Sequence, residues 1–182
     1  RYNPPRRRAA HDGVVYEHHA LSFDNGLVCR ELHPHAGVAK LLCRLDEGAP
    51  RVLVLDNGIF GHGFAEFVEL YGGQALLLQS SEKEAFDIEI LEKFLEKDHD
   101  FKYATIVHCD TPSGVLNDLS KICPLLKKYG ILTVVDSVAA MGGEDLQVDN
   151  WQIDIALGGS QKVLSAPPGL TIVSISPLAY QA

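Results

Sequence analysis

After residue 51 this 182-residue chain contains no arginine. All seven arginines lie at or before Arg51, with five of the eight histidines. From residue 52 on there are eight lysines against eighteen acids, a charge of −10, whereas residues 1–51 carry +2. The net charge of −8 argues against nucleic acid or an anionic membrane as the main partner. No apolar run approaches the roughly 20 residues that a bilayer-spanning helix needs. Arg6-Arg7-Arg8 is followed by AAHDGVVYEHHALSF, which is no signal-peptide core. Four cysteines (Cys29, Cys43, Cys109, Cys123) form no CxxC pair and no disulfide framework, so a reducing, cytoplasmic setting is expected. Cys29, His33 and His35 in CRELHPH lack a fourth zinc ligand and the spacing of a standard finger, so no metal is expected. His18-His19 reads as a surface pair.

What is present begins at residue 51. Hydrophobic residues make up 46% of the chain, enough for one packed domain. Short apolar runs recur: RVLVL (51–55), ALLLQ (75–79), ATIVH (104–108), ILTVV (131–135), DIALG (154–158) and LTIVSIS (170–176). Their near-continuous hydrophobicity predicts strands buried on both faces. Between the first four lie segments of helical spacing. HGFAEFVELYG aligns Phe64, Phe67, Val68 and Tyr71, and DIEILEKFLEKD aligns Ile88, Leu91, Phe94 and Leu95. NDLSKICPLLKKYG turns Leu119, Ile122, Leu125 and Leu126 inward, with Pro124 a potential kink and Gly130 a C-cap. The alternation predicts an α/β fold: a three-layer α/β/α domain with a mainly parallel sheet. Residues 1–50 read as an atypical N-terminal segment and 51–182 as the regular portion.

In such sheets ligands bind beyond the carboxyl ends of the strands. Those ends carry Asn57-Gly58-Ile59-Phe60-Gly61, Thr111-Pro112-Ser113-Gly114, Asp136-Ser137-Val138 and Gly158 through Lys162. A lysine amine is suited to a Schiff base with a carbonyl, and a carboxylate stays ionised beside a cationic ring nitrogen. Pyridoxal phosphate needs this pair, here Lys162 and Asp136, and Phe60 offers a flat stacking partner.

The segments NGIFG (57–61), HCDTPSGVLN (108–117), VVDSVAAMGGEDL (134–146) and GGSQKVLSAPPGL (158–170) occur in an order and spacing that resembles the class V aminotransferases of fold type I, the alanine–glyoxylate and serine–pyruvate group. The resemblance runs from about residue 51 to 179. It implies that Lys162 carries the cofactor and shuttles the α-proton, while Asp136 pairs with the pyridinium nitrogen. Val138 and Phe60 would pack on the two ring faces, Thr111 would bond near the 3-oxygen, and Gln161 would lie beside the phosphate. Glutamine before the lysine favours transamination over sulfur transfer. The implied substrates are a small amino acid and a 2-oxo acid, in a homodimer, with 2-aminoethylphosphonate transaminase as the nearest rival.

Simpler roles compete at each position. Lys162 can be a solvated loop lysine, Asp136 a cap, and Thr111 with Ser113 a turn. Phe60 fits ring stacking and plain core equally, and Val138 is core in either case. His108 and Cys109, closing a buried strand, read as structural rather than as a nucleophilic pair. Where the family holds its phosphate this chain reads ELHPHAGVAKLL (31–42), with His35 the nearest candidate. The chain is therefore expected to be a truncated large domain with weak turnover, or a cofactor-binding module without catalysis.

Overall fold

The apolar runs become strands within a residue of the predicted positions. The computed structural model describes residues 49–80 and 84–181, together with four short N-terminal strands whose backbone alone is described. Those four are β1 (Arg8–Ala10), β2 (Gly13–Val15), β3 (Leu21–Ser22) and β4 (Leu27–Arg30). The main strands follow: β5 (Arg51–Asp56), β6 (Gln74–Gln79), β7 (Tyr103–Val107), β10 (Leu132–Asp136), β11 (Ile155–Gly159) and β12 (Thr171–Ile175). A small hairpin, β8 (Cys109–Asp110) and β9 (Val115–Leu116), projects after β7. The large sheet has eight strands in the order β3-β4-β12-β11-β10-β7-β5-β6. From β6 through β11 all pairings are parallel, and β12, β4 and β3 then pair antiparallel in turn.

Alternation along each strand feeds two cores. Leu53, Leu55, Ala104 and Ile106 face helices α2 (Ile88–Leu95) and α3 (Leu119–Lys128). Val52, Val54, Val134 and Leu157 face α1 (Ile59–Leu70) and α4 (Pro177–Gln181) on the other side. These are the three layers read from the sequence. Asp87 caps α2, its carboxylate accepting from the Glu89 and Ile90 amides at 2.8 and 3.2 Å. Pro124 lies inside α3, which continues through it to Lys128. The carbonyl it leaves without a donor belongs to exposed Ser120, where water can serve it. Helix α1 starts three residues before HGFAEFVELYG, despite two glycines of low helix propensity. Gly61 explains this: a Cβ there would sit 3.1 Å from the Leu55 carbonyl oxygen, so its absence lets the helix press against the end of β5.

Candidate active site

Four neighbouring strands, β5, β7, β10 and β11, end at one edge of the sheet, and every predicted site residue lies at the end of one of them or shortly after it. After β7 the chain enters the β8–β9 hairpin, whose tip is Thr111–Gly114. Buried Asp110 organises this tip. Its carboxylate accepts from the Ser113 hydroxyl at 2.8 Å and the Ser113 amide at 3.2 Å, and its carbonyl accepts from the Gly114 amide at 2.8 Å. Ser113 is thus a turn-forming residue, while Thr111 stands exposed on the rim. The same carboxylate meets the exit of β5. A Cβ on Gly58 would lie 2.4 Å from Asp110 Cγ, and the Phe60 amide points at Asp110 Oδ1 across a long 3.5 Å. Asp110 therefore holds Phe60 and Thr111 to one side of the site. Phe60 is 37% exposed at the start of α1 and belongs to neither core, which removes its plain-core alternative.

Asp136 ends β10, in register with Val107 of β7 and Leu157 of β11. It is buried, and its Oδ1 accepts from the Val138 amide at 2.9 Å, so the turn-capping role is present. The turn also turns Val138 inward, where it is buried. After β11, Gly159 lies beneath both Val138 and Gln161: a Cβ there would be 2.7 Å from Gln161 Oε1 and 3.2 Å from Val138 Cγ1. Lys162 follows on a loop that is exposed from Gln161 to Leu170. Ser160 closes that loop. Its hydroxyl donates to the Pro167 carbonyl at 2.7 Å, its amide donates to Leu170 O at 3.1 Å, and its carbonyl accepts from Ala166 N at 3.0 Å. The Ser165 amide bonds the Lys162 carbonyl at 2.9 Å, with Ser165 held at a φ of 53°. The lysine side chain is solvent-accessible on a constrained backbone.

Beside Asp136, buried His108 sets its Nδ1 3.0 Å from Ser137 Oγ and meets Trp151 edge-on at 6.3 Å. Burial lowers the His108 pKa, and burial likewise pushes the Cys109 thiol up. A neutral imidazole beside a protonated thiol is no nucleophilic pair, in keeping with the structural reading of both. Asp110 is not singled out by the sequence, and Gly159 and Ser160 enter there only as part of the span Gly158 through Lys162, with no role of their own. Their only signal was their place inside the quoted motifs. A cleft of about 660 Å³ adjoins the β5 exit, and in it His62 Nδ1 lies 3.0 Å from Asp56 Oδ2, a contact that raises the histidine pKa. Arg51 is at the opposite end of β5, its guanidinium bonded to Asp98 at 2.9 and 3.2 Å and to the Asp100 carbonyl at 2.8 Å. His33, His35 and the rest of 31–42 lie outside the described residues, as do His18, His19 and the Cys29 side chain.

The donor set fits a flat, cationic aldehyde: a primary amine, a buried carboxylate at the end of the adjacent strand, an apolar and an aromatic side chain, and a rim hydroxyl. The residues that could hold pyridoxal phosphate are therefore Lys162, Asp136, Val138, Phe60, Thr111 and Gln161. Known proteins agree on the family. The class V aminotransferase family model matches residues 65–182. An uncharacterized aminotransferase of Methanocaldococcus jannaschii is 37% identical over 72% of this chain and 34% of its own length. A 2-aminoethylphosphonate–pyruvate transaminase of Bacillus cereus is 30% identical over 68% of this chain and 36% of its own. The crystal structure of an alanine–glyoxylate aminotransferase from a Nostoc species superposes with a TM-score of 0.78, at 26% identity, over 85% of this chain and 41% of that one. The chain spans about a third of the length of the curated relatives it matches. On sequence and on fold, the chain belongs to the class V aminotransferases.

Proposed function

We propose that residues 51–182 are the cofactor-binding, large-domain portion of a pyridoxal-phosphate-dependent transaminase that moves an amino group from alanine or serine to glyoxylate or pyruvate. One observation carries this reading: buried Asp136 ends the strand next to the one whose exit loop presents Lys162. When bound, the cofactor supplies an electron sink for the bond broken at the substrate α-carbon. Asp136 holds the proton on the ring nitrogen, and that charge pairing is favoured in a site closed to water. Lys162 carries the cofactor between turnovers and moves the proton to and from the substrate α-carbon. Val138 and Phe60 would confine the ring from its two faces, Thr111 would bond near the 3-oxygen, and Gln161 would lie beside the phosphate. The name of the Nostoc protein supports alanine and glyoxylate as the substrate pair. A second reading, 2-aminoethylphosphonate as donor and pyruvate as acceptor, is favoured by the Bacillus relative. A homodimer in the cytoplasm belongs to the same proposal. Among the described residues no helix is long and apolar enough to cross a membrane.

The test is chemical trapping. Incubation with pyridoxal phosphate followed by borohydride should leave the cofactor on the peptide containing Lys162, and Lys162→Ala should abolish it. A trapped adduct that survives in Lys162→Ala removes the central assignment. Preincubation with alanine or with 2-aminoethylphosphonate then separates the two donors, since the true donor alone depletes the trappable form. If neither of these nor serine depletes it, the chain is a cofactor-binding module without catalysis.

A further inference from the structure

The loop that bears Lys162 is exposed throughout, and the hydrogen bonds around Ser160 tie it to itself and to the start of β12. Its link to the β10 side of the site is of another kind. Directly after Asp136, from Ser137 to Glu144, the chain forms a tight double turn. The Ala140 and Met141 amides donate to the Ser137 carbonyl at 3.0 and 2.7 Å, and the Gly143 and Glu144 amides donate to the Ala140 carbonyl, both at 2.9 Å. Two glycine approaches join this turn to the lysine loop, and a third joins it to β11. A Cβ on Gly143 would lie 2.9 and 3.2 Å from the two methyls of Val163. One on Gly142, whose φ is +90°, would lie 2.8 Å from Leu164 Cδ2. One on Gly158 would lie 2.1 Å from Met141 Sδ. Val163 and Leu164, the two residues directly after the lysine, thus rest on bare backbone.

We propose that the Met141-Gly142-Gly143 turn is the seat of the lysine loop, and that Gly143 and Val163 are positioning residues for Lys162; this rests on the reading of Lys162 given above. The physical reason lies in which contacts can yield. Leu164 and Met141 have several rotatable bonds and can swing away from an added methyl. Val163 is β-branched and stiff at χ1, so a methyl at Gly143 is relieved by moving the loop backbone. That backbone is one residue from Lys162. Apolar Val163 and Leu164 also bury about half their surface here, being 43% and 44% exposed. The seat joins the loop to the segment that leaves Asp136, and so sets the amine's position relative to the carboxylate that faces the same ring.

The experiment uses the full 182-residue chain with Gly143→Ala, Val163→Ala and the double variant. The readouts are the rate at which pyridoxal phosphate becomes borohydride-trapped on Lys162, amide hydrogen exchange over 160–170, and the urea midpoint. Gly143→Ala should slow trapping roughly tenfold to a hundredfold, the range that a displacement of about 1 Å produces. It should also speed exchange across the loop. The double variant should return to the level of Val163→Ala alone, because the clashing methyls are gone. An unchanged trapping rate in folded Gly143→Ala, or no recovery in the double variant, overturns the seat. Should Gly143→Ala fail to fold, Val163→Ala carries the test: slower trapping at an unchanged urea midpoint supports the seat, and an unchanged rate overturns it. If the unsubstituted chain never traps cofactor on Lys162, the reading of that lysine fails and this role falls with it. Trapping that Gly143→Ala leaves untouched sinks only the seat.

Discussion

Lys162 and Asp136 are opposite in their surroundings. The lysine is exposed on a loop braced by Ser160, while the carboxylate is 4% exposed and already accepts from a backbone amide. This division suits their proposed tasks, because an amine that must meet substrate and cofactor needs access and a charge partner for a ring nitrogen gains from exclusion of water. Asp136→Asn keeps the turn bond to the Val138 amide and removes the charge. At alanine concentrations high enough to offset weak binding, it should slow exchange of the alanine α-hydrogen with deuterated solvent by about 3 kcal/mol in barrier. Nuclear magnetic resonance of alanine measures this directly, and an unchanged exchange rate would make Asp136 a turn residue only. Asp110 works by a different route. It touches Ser113, the Gly58 backbone and the start of α1, so it acts on the site by placing Phe60 and Thr111.

Strands β10 and β11 are locked together at the end remote from the site. Asp154, just before β11, accepts from Lys127 Nζ of α3 at 2.6 Å, from the Thr133 amide of β10 at 3.1 Å and from the Ser176 hydroxyl after β12 at 2.9 Å. Its own amide donates to Thr133 Oγ1 at 2.9 Å. One carboxylate thus ties together a helix, two strands and the entry to α4, with the Asp154 side chain 2% exposed. Removing it leaves a partly buried ammonium and a buried amide without their acceptor. Asp154→Ala should lower unfolding free energy by about 3 kcal/mol in urea titration, with Asp154→Asn less damaging because it keeps acceptor capacity. A loss under about 1 kcal/mol would show that water replaces the carboxylate there. The apolar face of α3 is legible in the sequence, since all four inward residues named for it are buried, whereas in α2 Leu91 and Leu95 are buried and Ile88 and Phe94 partly so. For α1 the pattern is likewise incomplete. Phe67 and Tyr71 are only half-buried, and Ala65 and Gly61 take the closest positions against the sheet.

Across the whole molecule, charge is distributed so that the proposed site has no arginine of its own from residue 52 on. Arg51 cannot substitute, since it is bonded to Asp98 and lies over the Phe101 ring at 4.7 Å, at the far end of β5. A lysine lacks the planar fork that grips a carboxylate through two bonds. Alanine should therefore be held weakly by this chain. Its transamination with glyoxylate should be slow and should rise linearly with alanine well beyond ~1 mM, the upper end of ordinary KM values. Saturation in the micromolar range, at an ordinary turnover rate, would overturn this. It would require an arginine from residues 1–50 to reach the site.

The sequence by itself determined the layers, the positions of the six main strands and the edge to inspect for chemistry. Hydrophobic periodicity encodes which face of a strand or helix is dry, and parallel strands separated by helices must end on one side. It also points to Lys162 and Asp136 at that edge, since Asp136 directly follows one apolar run and Lys162 comes four residues after another. Only the tertiary structure decided how the site is braced. Asp110 bridging to Gly58, Gly143 beneath Val163 and Asp154 joining α3 to β10 are contacts between residues 20 to 52 positions apart. No local pattern signals them, because a glycine that admits a neighbour looks the same in sequence as one that merely turns the chain. The antiparallel pairing of β4 with β12 is of the same kind: it joins residues 27–30 to 171–174, and only the assembled sheet brings those edges within hydrogen-bonding distance.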